Sequence, residues 1–162
     1  MAEHLNIIEG SKAEKYAALL PQIQSVVEDE PDAIANMANV ASMLHETFRF
    51  WWTGFYRVVP AENAEQLVLG PFQGPMACTR IPRGRGVCGT AWAEDKTQVV
   101  PDVEKFPGHI ACSSASRSEI VVPIHDGNGR VSAVLDIDSA ELNTFDAIDQ
   151  LWLERIARIL DK

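Results

Sequence analysis

Apolar residues recur at helical spacing in two stretches near the start of the chain. The first stretch runs from residue 12 to residue 28, and Pro21 within it predicts a kink or a break into two helices. The second helix follows Pro31, with Asp32 in its first turn, where the helix dipole favours an acid. Its predicted buried stripe consists of Ile34, Met37, Ala38, Ala41 and Leu44.

A third helical pattern closes the chain. Thr144 is the predicted N-cap, with Asp146 in the first turn. The residues predicted to face the core are Phe145, Ile148, Leu151, Trp152, Ile156 and Ile159. Core packing explains all three patterns, so the helices are predicted to be structural.

The middle of the chain has the pattern of strands. Residues 50–59 are aromatic and β-branched, and residues 66–72 return as the second strand of a hairpin. Residues 119–124 and 130–137 form another strand pair, joined by Asp-Gly and Asn-Gly, which are strong turn signals. Between the pairs we predict extended segments at 78–81 and 97–100, a short helix at 86–95, and a long loop at 101–118.

This order of elements predicts an α+β fold. One antiparallel sheet carries the N- and C-terminal helices on one face, and loops that hold the candidate chemistry cover the other face. The chain has 162 residues, of which 46% are hydrophobic and 23% charged, which suits one globular domain over residues 1–162.

The charge balance excludes some classes of partner. A net charge of −9 argues against non-specific binding to nucleic acid or to an anionic membrane. No apolar run is long enough to span a bilayer, and the first residues lack a secretion signal, so we expect a cytoplasmic location.

All three cysteines, Cys78, Cys88 and Cys112, lie between residues 77 and 138. An odd number does not suit a secreted disulfide framework, so they are buried apolar residues, metal ligands or redox-active thiols. Cys112 lies among small loop residues, where a core cysteine is unexpected, and Arg117 follows nearby. Thiols on a mobile loop would suit disulfide exchange.

Side chains from two strands are expected to meet on the loop-covered face. Positions 52, 54 and 56 share one face by the two-residue period of a strand, as do 136 and 138. Trp52, Tyr56, Asp136 and Asp138 would then border a pocket. The two aspartates are equally well explained as residues that are exposed at a strand end or hydrogen-bonded into the following turn.

Two other chemistries fit the residues less well. A metal site would group the three cysteines with His109, but no zinc-type spacing supports it. The Gly84-Arg85-Gly86-Val87-Cys88-Gly89 segment is neither a P-loop nor a dinucleotide fingerprint, so its glycines are expected to shape a tight turn into the short helix.

Several of these segments together resemble free methionine-(R)-sulfoxide reductase, a family that uses the GAF fold. The similar segments are Asn39–Phe48, Trp52–Tyr56, Gly70–Cys78, Gly84–Gly89, Val99–Val103, His109–Cys112, Ser118–Pro123 and Val134–Ser139. The resemblance covers nearly the whole chain, and the three-cysteine arrangement within these flanks is highly specific.

The resemblance implies reduction of free L-methionine (R)-sulfoxide, with thioredoxin as the external reductant, no bound cofactor or metal, and a homodimer. Cys112 would attack the sulfoxide, Cys78 would resolve the resulting sulfenic acid as a disulfide, and Cys88 would be an alternative or auxiliary thiol. Glu119, Asp136 and Asp138 would be the acids of the pocket, and Trp52 and Tyr56 its aromatic wall. The assignment of individual acids to proton transfer or to ammonium binding stays open.

Two other function classes compete with this interpretation. One is a non-catalytic GAF module that binds a small ligand or senses redox state. The other is a zinc-stabilised interaction domain, which rests on the cysteine count alone. Signalling GAF modules are usually joined to an output domain, and the chain stops two residues after its last helix, which favours the enzyme.

Overall fold

The computed structural model describes residues 4–110, 112 and 115–162, and within them the chain forms four α-helices and one six-stranded antiparallel sheet. The helices are α1 (Lys12–Val27), α2 (Ala33–Phe48), α3 (Gly86–Glu94) and α4 (Ala147–Leu160). The strands are β1 (Trp52–Pro60), β2 (Glu65–Gln73), β3 (Arg80–Pro82), β4 (Gln98–Val100), β5 (Ser118–His125) and β6 (Val131–Ser139). Among the described helices, none combines the length and apolar character needed to cross a bilayer. The predicted α+β class is confirmed.

The strands are ordered β3-β2-β1-β6-β5-β4 across the sheet. The first three strands form a meander, after which the chain passes through α3 to β4 at the opposite edge. β5 and β6 then return toward the centre, where β6 pairs with β1. This return brings the last strand, with its two aspartates, beside the first.

The alternation of side chains along the central strands divides the interior into two cores. Phe55, Ile120 and Leu135 belong to the core under α1, α2 and α4. Trp52, Tyr56 and their neighbours on the other face pack against α3 and the loop segments. The predicted placement of terminal helices on one face and loops on the other is confirmed, and α3 is the short helix that shares the loop face.

The predicted interruption at Pro21 is wrong. Helix α1 continues through Pro21, which lies on the exposed side of the helix. Leu19 and Ile23, one on each side of the proline, are both fully buried in the core under the helices. Because these anchors hold both halves against the sheet, the loss of one backbone hydrogen bond does not divide the helix.

The predicted faces of the other two terminal helices are partly wrong. In α2, Ile34 is 44% exposed and Ala38 is also exposed, whereas Met37, Ala41 and Leu44 are buried. Asp32 is the N-cap of α2 rather than a residue of its first turn.

In α4 the N-cap is Asp146 and not Thr144, whose hydroxyl instead pairs with Ser139 at 2.6 Å. Ile148 and Leu151 are 40% and 48% exposed, while Asp149 is completely buried.

Asp149 explains the orientation of α4. One carboxylate oxygen accepts a hydrogen bond from the Tyr16 hydroxyl at 2.7 Å. The other accepts from Lys12 Nζ at 2.7 Å and from the backbone N–H of Asp146 at 2.9 Å. This fully satisfied buried carboxylate joins the first helix to the last, and it turns apolar residues of α4 toward solvent.

We expect Tyr16→Phe to lower the free energy of unfolding by about 1–3 kcal/mol, because it leaves one oxygen of the buried Asp149 carboxylate without a donor. Urea denaturation followed by circular dichroism measures the change. Ser132→Ala is the control, since its hydroxyl makes a long 3.4 Å bond from a partly exposed position. Equal stability of Tyr16→Phe and the unmodified protein would show that this hydrogen bond does not contribute to the free energy of unfolding.

Candidate functional site

A small cavity of about 60 Å³ opens on the loop-covered face of the sheet. Its floor is formed by the side chains of β1, β5 and β6, and its walls are formed by α3 and by two loop segments. Seven of the eight residues predicted from sequence line the cavity: Trp52, Tyr56, Cys88, Cys112, Glu119, Asp136 and Asp138. The eighth, Cys78, is joined to Cys112 by a disulfide.

The register of the central strands places three carboxyl groups on the cavity floor. Glu119 of β5 lies opposite Asp138 of β6, which in turn lies opposite Trp52 of β1. Asp136 lies two residues before Asp138 on the same face of β6, opposite Gly54. Glu119 and Asp136 are only 6% and 5% exposed, and Asp138 is half-buried. The alternative that the aspartates are exposed at a strand end is therefore wrong.

Burial and mutual repulsion change the acidity of this group. Loss of hydration and the neighbouring Asp136 raise the pKa of Glu119 well above its ordinary value, and the pKa of Asp138 rises for the same reasons. Loss of hydration also raises the pKa of Asp136, although contacts with Glu119 and Cys88 oppose the shift. The cluster therefore retains a proton at pH values where an exposed carboxyl would have lost it.

One hydrogen bond and one unpaired oxygen further define the cluster. The hydroxyl of Ser116 donates to Oδ1 of Asp138 at 2.9 Å. Oδ1 of Asp136 is buried and has no hydrogen-bond partner among the described residues. A buried carboxylate oxygen without a donor is costly, and a cationic ligand group would remove that cost.

Aromatic rings form the wall beside the acids. The Trp52 ring stacks on Tyr56 at a centroid distance of 6.0 Å and on Phe72 at 5.3 Å. Gly54 makes this stacking possible, because a Cβ at that position would lie 2.4 Å from Phe72 Cβ and 2.6 Å from the Trp52 ring. The predicted pair of aromatic residues thus presents ring surface to the cavity.

The same two aromatic residues hold the segment that contains Cys78. Trp52 Nε1 donates to the carbonyl oxygen of Pro75 at 3.0 Å, and the Tyr56 hydroxyl donates to the carbonyl oxygen of Cys78 at 2.9 Å. Cys78 follows β2 at the end of a short irregular segment, and these bonds fix that segment to the floor of the cavity.

Cys78 and Cys112 form a disulfide, with a Cα–Cα distance of 5.4 Å. Cys112 is exposed and lies on the loop between β4 and β5, at the mouth of the cavity. Ala111, Ser113 and Ser114, which belong to the small-residue loop identified in the sequence, lie outside the described residues. The pairing is the one that the family resemblance implied.

Cys88 is in a different environment from the other two cysteines. It is the third residue of α3, is 4% exposed and is in no disulfide. Its sulfur and one carboxyl oxygen each of Glu119 and Asp136 lie within 4.8 Å of one another. Burial and the adjacent Asp136 raise the pKa of the Cys88 thiol well above its ordinary value, so this thiol is a weak nucleophile as long as the fold holds it there.

Comparison with known proteins places this geometry in a family. A model of the GAF domain matches residues 28–160. The free methionine-R-sulfoxide reductase of Saccharomyces cerevisiae is 39% identical, and the match covers 99% of this chain and 92% of that protein. The free methionine-R-sulfoxide reductase of Escherichia coli is 42% identical, over 94% of this chain and 90% of that protein. The chain belongs to this family of GAF-domain oxidoreductases.

A solved structure extends the similarity to the whole fold. The free methionine-R-sulfoxide reductase of Neisseria meningitidis, crystallised in complex with its substrate, is 54% identical. It matches with a TM-score of 0.94 over 99% of this chain and 94% of that one. The family assignment made from the cysteine flanks is therefore confirmed.

The metal alternative that grouped the three cysteines with His109 does not fit this reductase fold. Two of those cysteines are joined in the disulfide, whose sulfurs are not the thiolates that zinc binds. Among the described residues, the metal-type ligands that come close together are Cys88, Glu119 and Asp136. Glu119 and Asp136 belong to the acid cluster on the cavity floor, and the Cys88 sulfur adjoins it.

Sequence reasoning missed several residues that line the cavity. Trp51, Met76, Ile110 and Ser116 all border it, and the sequence analysis named none of them as a site residue. Ser116 was part of the recognised small-residue loop, but its bond to Asp138 depends on how that loop folds back over β6. His109 also lines the cavity, and its loss of hydration lowers its pKa, so the imidazole is neutral more often than usual.

We expect the three cysteines of this reductase to differ in their rates of alkylation. After reduction with dithiothreitol, iodoacetamide at about pH 8 should label Cys112 and Cys78, while Cys88 reacts at least about tenfold more slowly because it is buried and protonated. Intact mass and peptide mapping count and locate the adducts, and urea should bring the third cysteine to full labelling. Rapid labelling of Cys88 in the folded protein would contradict its assigned environment.

We expect Glu119→Gln to stabilise the fold more at about pH 8 than at about pH 5. A raised pKa means that the folded state binds a proton that the unfolded state releases, so stability is present at low pH and is lost as the pH rises. The amide does not titrate and escapes this loss. Urea midpoints at the two pH values measure the effect.

The exposed Glu46→Gln on α2 is the matched control, with no expected difference between the two pH values. An equal shift of the midpoint by Glu119→Gln at both pH values would show that the carboxyl does not titrate abnormally.

Proposed function

We propose that this protein reduces free L-methionine (R)-sulfoxide to L-methionine, through a sulfenic acid on Cys112 and a disulfide with Cys78 that thioredoxin reduces. The observation that carries the proposal is the position of Cys112. Its sulfur lies at the mouth of a cavity whose floor holds three acids with raised pKa values and whose wall is aromatic.

In the first step the Cys112 thiolate attacks the sulfoxide sulfur. The oxygen is a poor leaving group until it is protonated, and the buried acid cluster of Glu119, Asp136 and Asp138 supplies that proton. The sulfoxide oxygen is transferred to Cys112 as a sulfenic acid, and methionine leaves as the two-electron reduced product.

Two features of the cavity account for selectivity. The unpartnered Oδ1 of Asp136 offers a buried acceptor to the free ammonium group of an amino acid, which a peptide-bound methionine lacks. The rings of Trp52 and Tyr56 provide an apolar surface for the S-methyl group, and their fixed stacking favours one sulfur epimer by shape.

Resolution of the sulfenic acid uses the cysteine that the aromatic wall holds in place. The Cys78 thiol attacks the Cys112 sulfenic sulfur, so that water leaves and a disulfide forms. Two electrons from reduced thioredoxin then restore both thiols. Cys88, a buried residue of α3, serves as an auxiliary thiol. A homodimeric assembly and a cytoplasmic location, which the resemblance also implies, stay predictions.

We expect the purified protein to consume free methionine-(R)-sulfoxide with dithiothreitol or thioredoxin and to spare the S epimer. Cys112→Ser should lose turnover by at least about a thousandfold, because no other exposed thiol of the described chain faces the substrate. Chromatography of the amino-acid products measures both epimers. An active Cys112→Ser variant, or no turnover of either epimer, would overturn the proposal and favour a non-catalytic GAF module.

A second measurement tests the intermediate. In the double variant Cys78→Ser/Cys88→Ser, one equivalent of substrate should add one oxygen to Cys112, visible by intact mass. The double variant treated with free methionine instead of its sulfoxide is the control. An unmodified Cys112 after substrate has been consumed would contradict the sulfenic acid step.

A further inference from the structure

We propose that a protein dithiol docks beside the Cys78–Cys112 disulfide before it reduces this bond. The docking surface, which we call the reductant face, consists of Met76, Arg80 and Arg83. Its occupant is a protein that carries an apolar patch and acidic groups around its reactive thiol. The inference rests on the proposed function, in which an external dithiol returns the disulfide to two thiols.

Met76 is the apolar centre of the reductant face. Its side chain is 88% exposed, and no other large apolar side chain among the described residues exceeds 48%. It lies two residues before Cys78, and it borders the same cavity mouth as Cys112. A large apolar side chain gains free energy when a partner covers it, and methionine adapts to the shape of the covering surface.

The backbone on both sides of Met76 is fixed to the sheet. Trp52 Nε1 donates to the carbonyl oxygen of Pro75 at 3.0 Å, just before the methionine. The Tyr56 hydroxyl donates to the carbonyl oxygen of Cys78 at 2.9 Å, just after it. Turning the segment inward to bury the methionine would break these bonds. The fold therefore holds an apolar side chain in solvent beside the disulfide, and a preformed site of this kind lowers the cost of docking.

The charge of the reductant face differs from that of the whole chain. The protein has a net charge of −9, yet no acidic residue occurs from Gln66 to Ala93. Within that range Arg80 and Arg83 are exposed, and neither forms an ion pair with a described residue. Arg80 lies two residues after Cys78. Uncompensated cations beside the disulfide favour a partner with acidic groups around its thiol.

Exposure selects the sulfur that the partner attacks. Cys112 is exposed, whereas Cys78 is half-buried on the fixed segment. The partner's thiolate therefore forms a bond to the Cys112 sulfur, and the bond to Cys78 breaks with its electron pair on the Cys78 sulfur, which takes up a proton. The partner's second thiol then attacks the mixed disulfide, so that Cys112 leaves as a thiolate. The partner keeps its own two sulfurs as a disulfide, and two electrons have passed to the protein.

A protein reductant needs a contact surface that a small dithiol does not need. Weak redox complexes bury less than about 1,200 Å² in total. A patch of this size around Cys112 extends across the 5.4 Å between the Cα atoms of the two cysteines and reaches the reductant face. The rate of reduction by a protein dithiol, divided by the rate with a small dithiol, therefore isolates the contribution of this face.

The test measures reduction of the preformed disulfide. Diamide forms the disulfide, so methionine sulfoxide is not needed. Reduction by thioredoxin or by dithiothreitol is stopped with iodoacetamide and followed by intact mass. The readout is the ratio of the two second-order rate constants, thioredoxin over dithiothreitol.

Two variants of the reductant face should lower this ratio. Met76→Ser should lower it at least about fivefold, because the apolar contact at the centre is lost. Arg83→Ala should lower it about threefold at low ionic strength, and by less at about 0.5 M sodium chloride, where screening weakens the attraction.

Matched controls lie on α4, on the other side of the sheet. Leu151→Ser removes another exposed apolar side chain. Arg155→Ala removes a guanidinium that lies over a Trp ring, as that of Arg83 does. Both controls should leave the ratio within about twofold of the unmodified protein, because surface contacts distant from the disulfide do not meet the partner.

A trapping experiment tests the point of attack. Thioredoxin in which the second cysteine of its dithiol is replaced by serine cannot complete the reduction. It should remain attached to the protein as a mixed disulfide, and peptide mapping should locate that bond at Cys112.

Each other outcome decides against the reductant face. An unchanged ratio in Met76→Ser overturns it, as do equal losses in Met76→Ser and Leu151→Ser or in Arg83→Ala and Arg155→Ala. A mixed disulfide at Cys78, or equal rate constants for thioredoxin and dithiothreitol in the unmodified protein, also overturns it. Absence of methionine sulfoxide turnover with dithiothreitol would instead contradict the proposed function, since the rate ratio is measured without that substrate.

Discussion

The three carboxyl groups on the loop-covered face are the constraint on which the other features of the site depend. Glu119 and Asp136 are buried, and Asp138 lies directly across from Glu119. Such a group is unfavourable for folding unless it keeps protons or receives a cationic ligand. A separate apolar core lies under α1, α2 and α4 on the opposite face, so part of the stability of the fold comes from a face that holds none of the three acids.

The strand pairing fixes the positions of the three carboxyl groups relative to one another. β5, β6 and β1 are central neighbours in the sheet, and each is hydrogen-bonded on both sides. Side chains on such strands cannot move apart to relieve repulsion as they could on a loop. Cys112, the residue that attacks the substrate in the proposed reaction, lies outside the sheet. The acids, on paired strands, and the Cys112 thiol, on a loop, thus belong to different parts of the chain.

Features that depend on neighbouring residues in the sequence could be predicted, whereas features that depend on contacts between distant segments could not. The two-residue period of a strand is local, so Trp52 and Tyr56, like Asp136 and Asp138, were placed on common faces correctly. The position of Glu119 opposite Asp138 depends on the pairing of two strands, and only the family resemblance indicated that Glu119 is an acid of the pocket.

The errors in the helices have a similar cause. The buried Asp149 determines which side of α4 faces the core, and a polar residue in the core has no signature in a hydrophobic pattern. In α1, the anchors on both sides of Pro21 outweigh the local preference of proline, and those anchors are contacts to distant strands.

The disulfide has a consequence for the protein as a folded chain. Its two cysteines are 34 residues apart, and the closed loop contains α3, β4 and the passage from one edge of the sheet to the other. Closing a loop of this length restricts the unfolded chain by about 4 kcal/mol. By the same thermodynamic cycle, folding raises the effective concentration of each thiol near the other. The oxidised protein is therefore more resistant to heat than the reduced protein. Each reduction of the disulfide by an external thiol returns the chain to its less stable form.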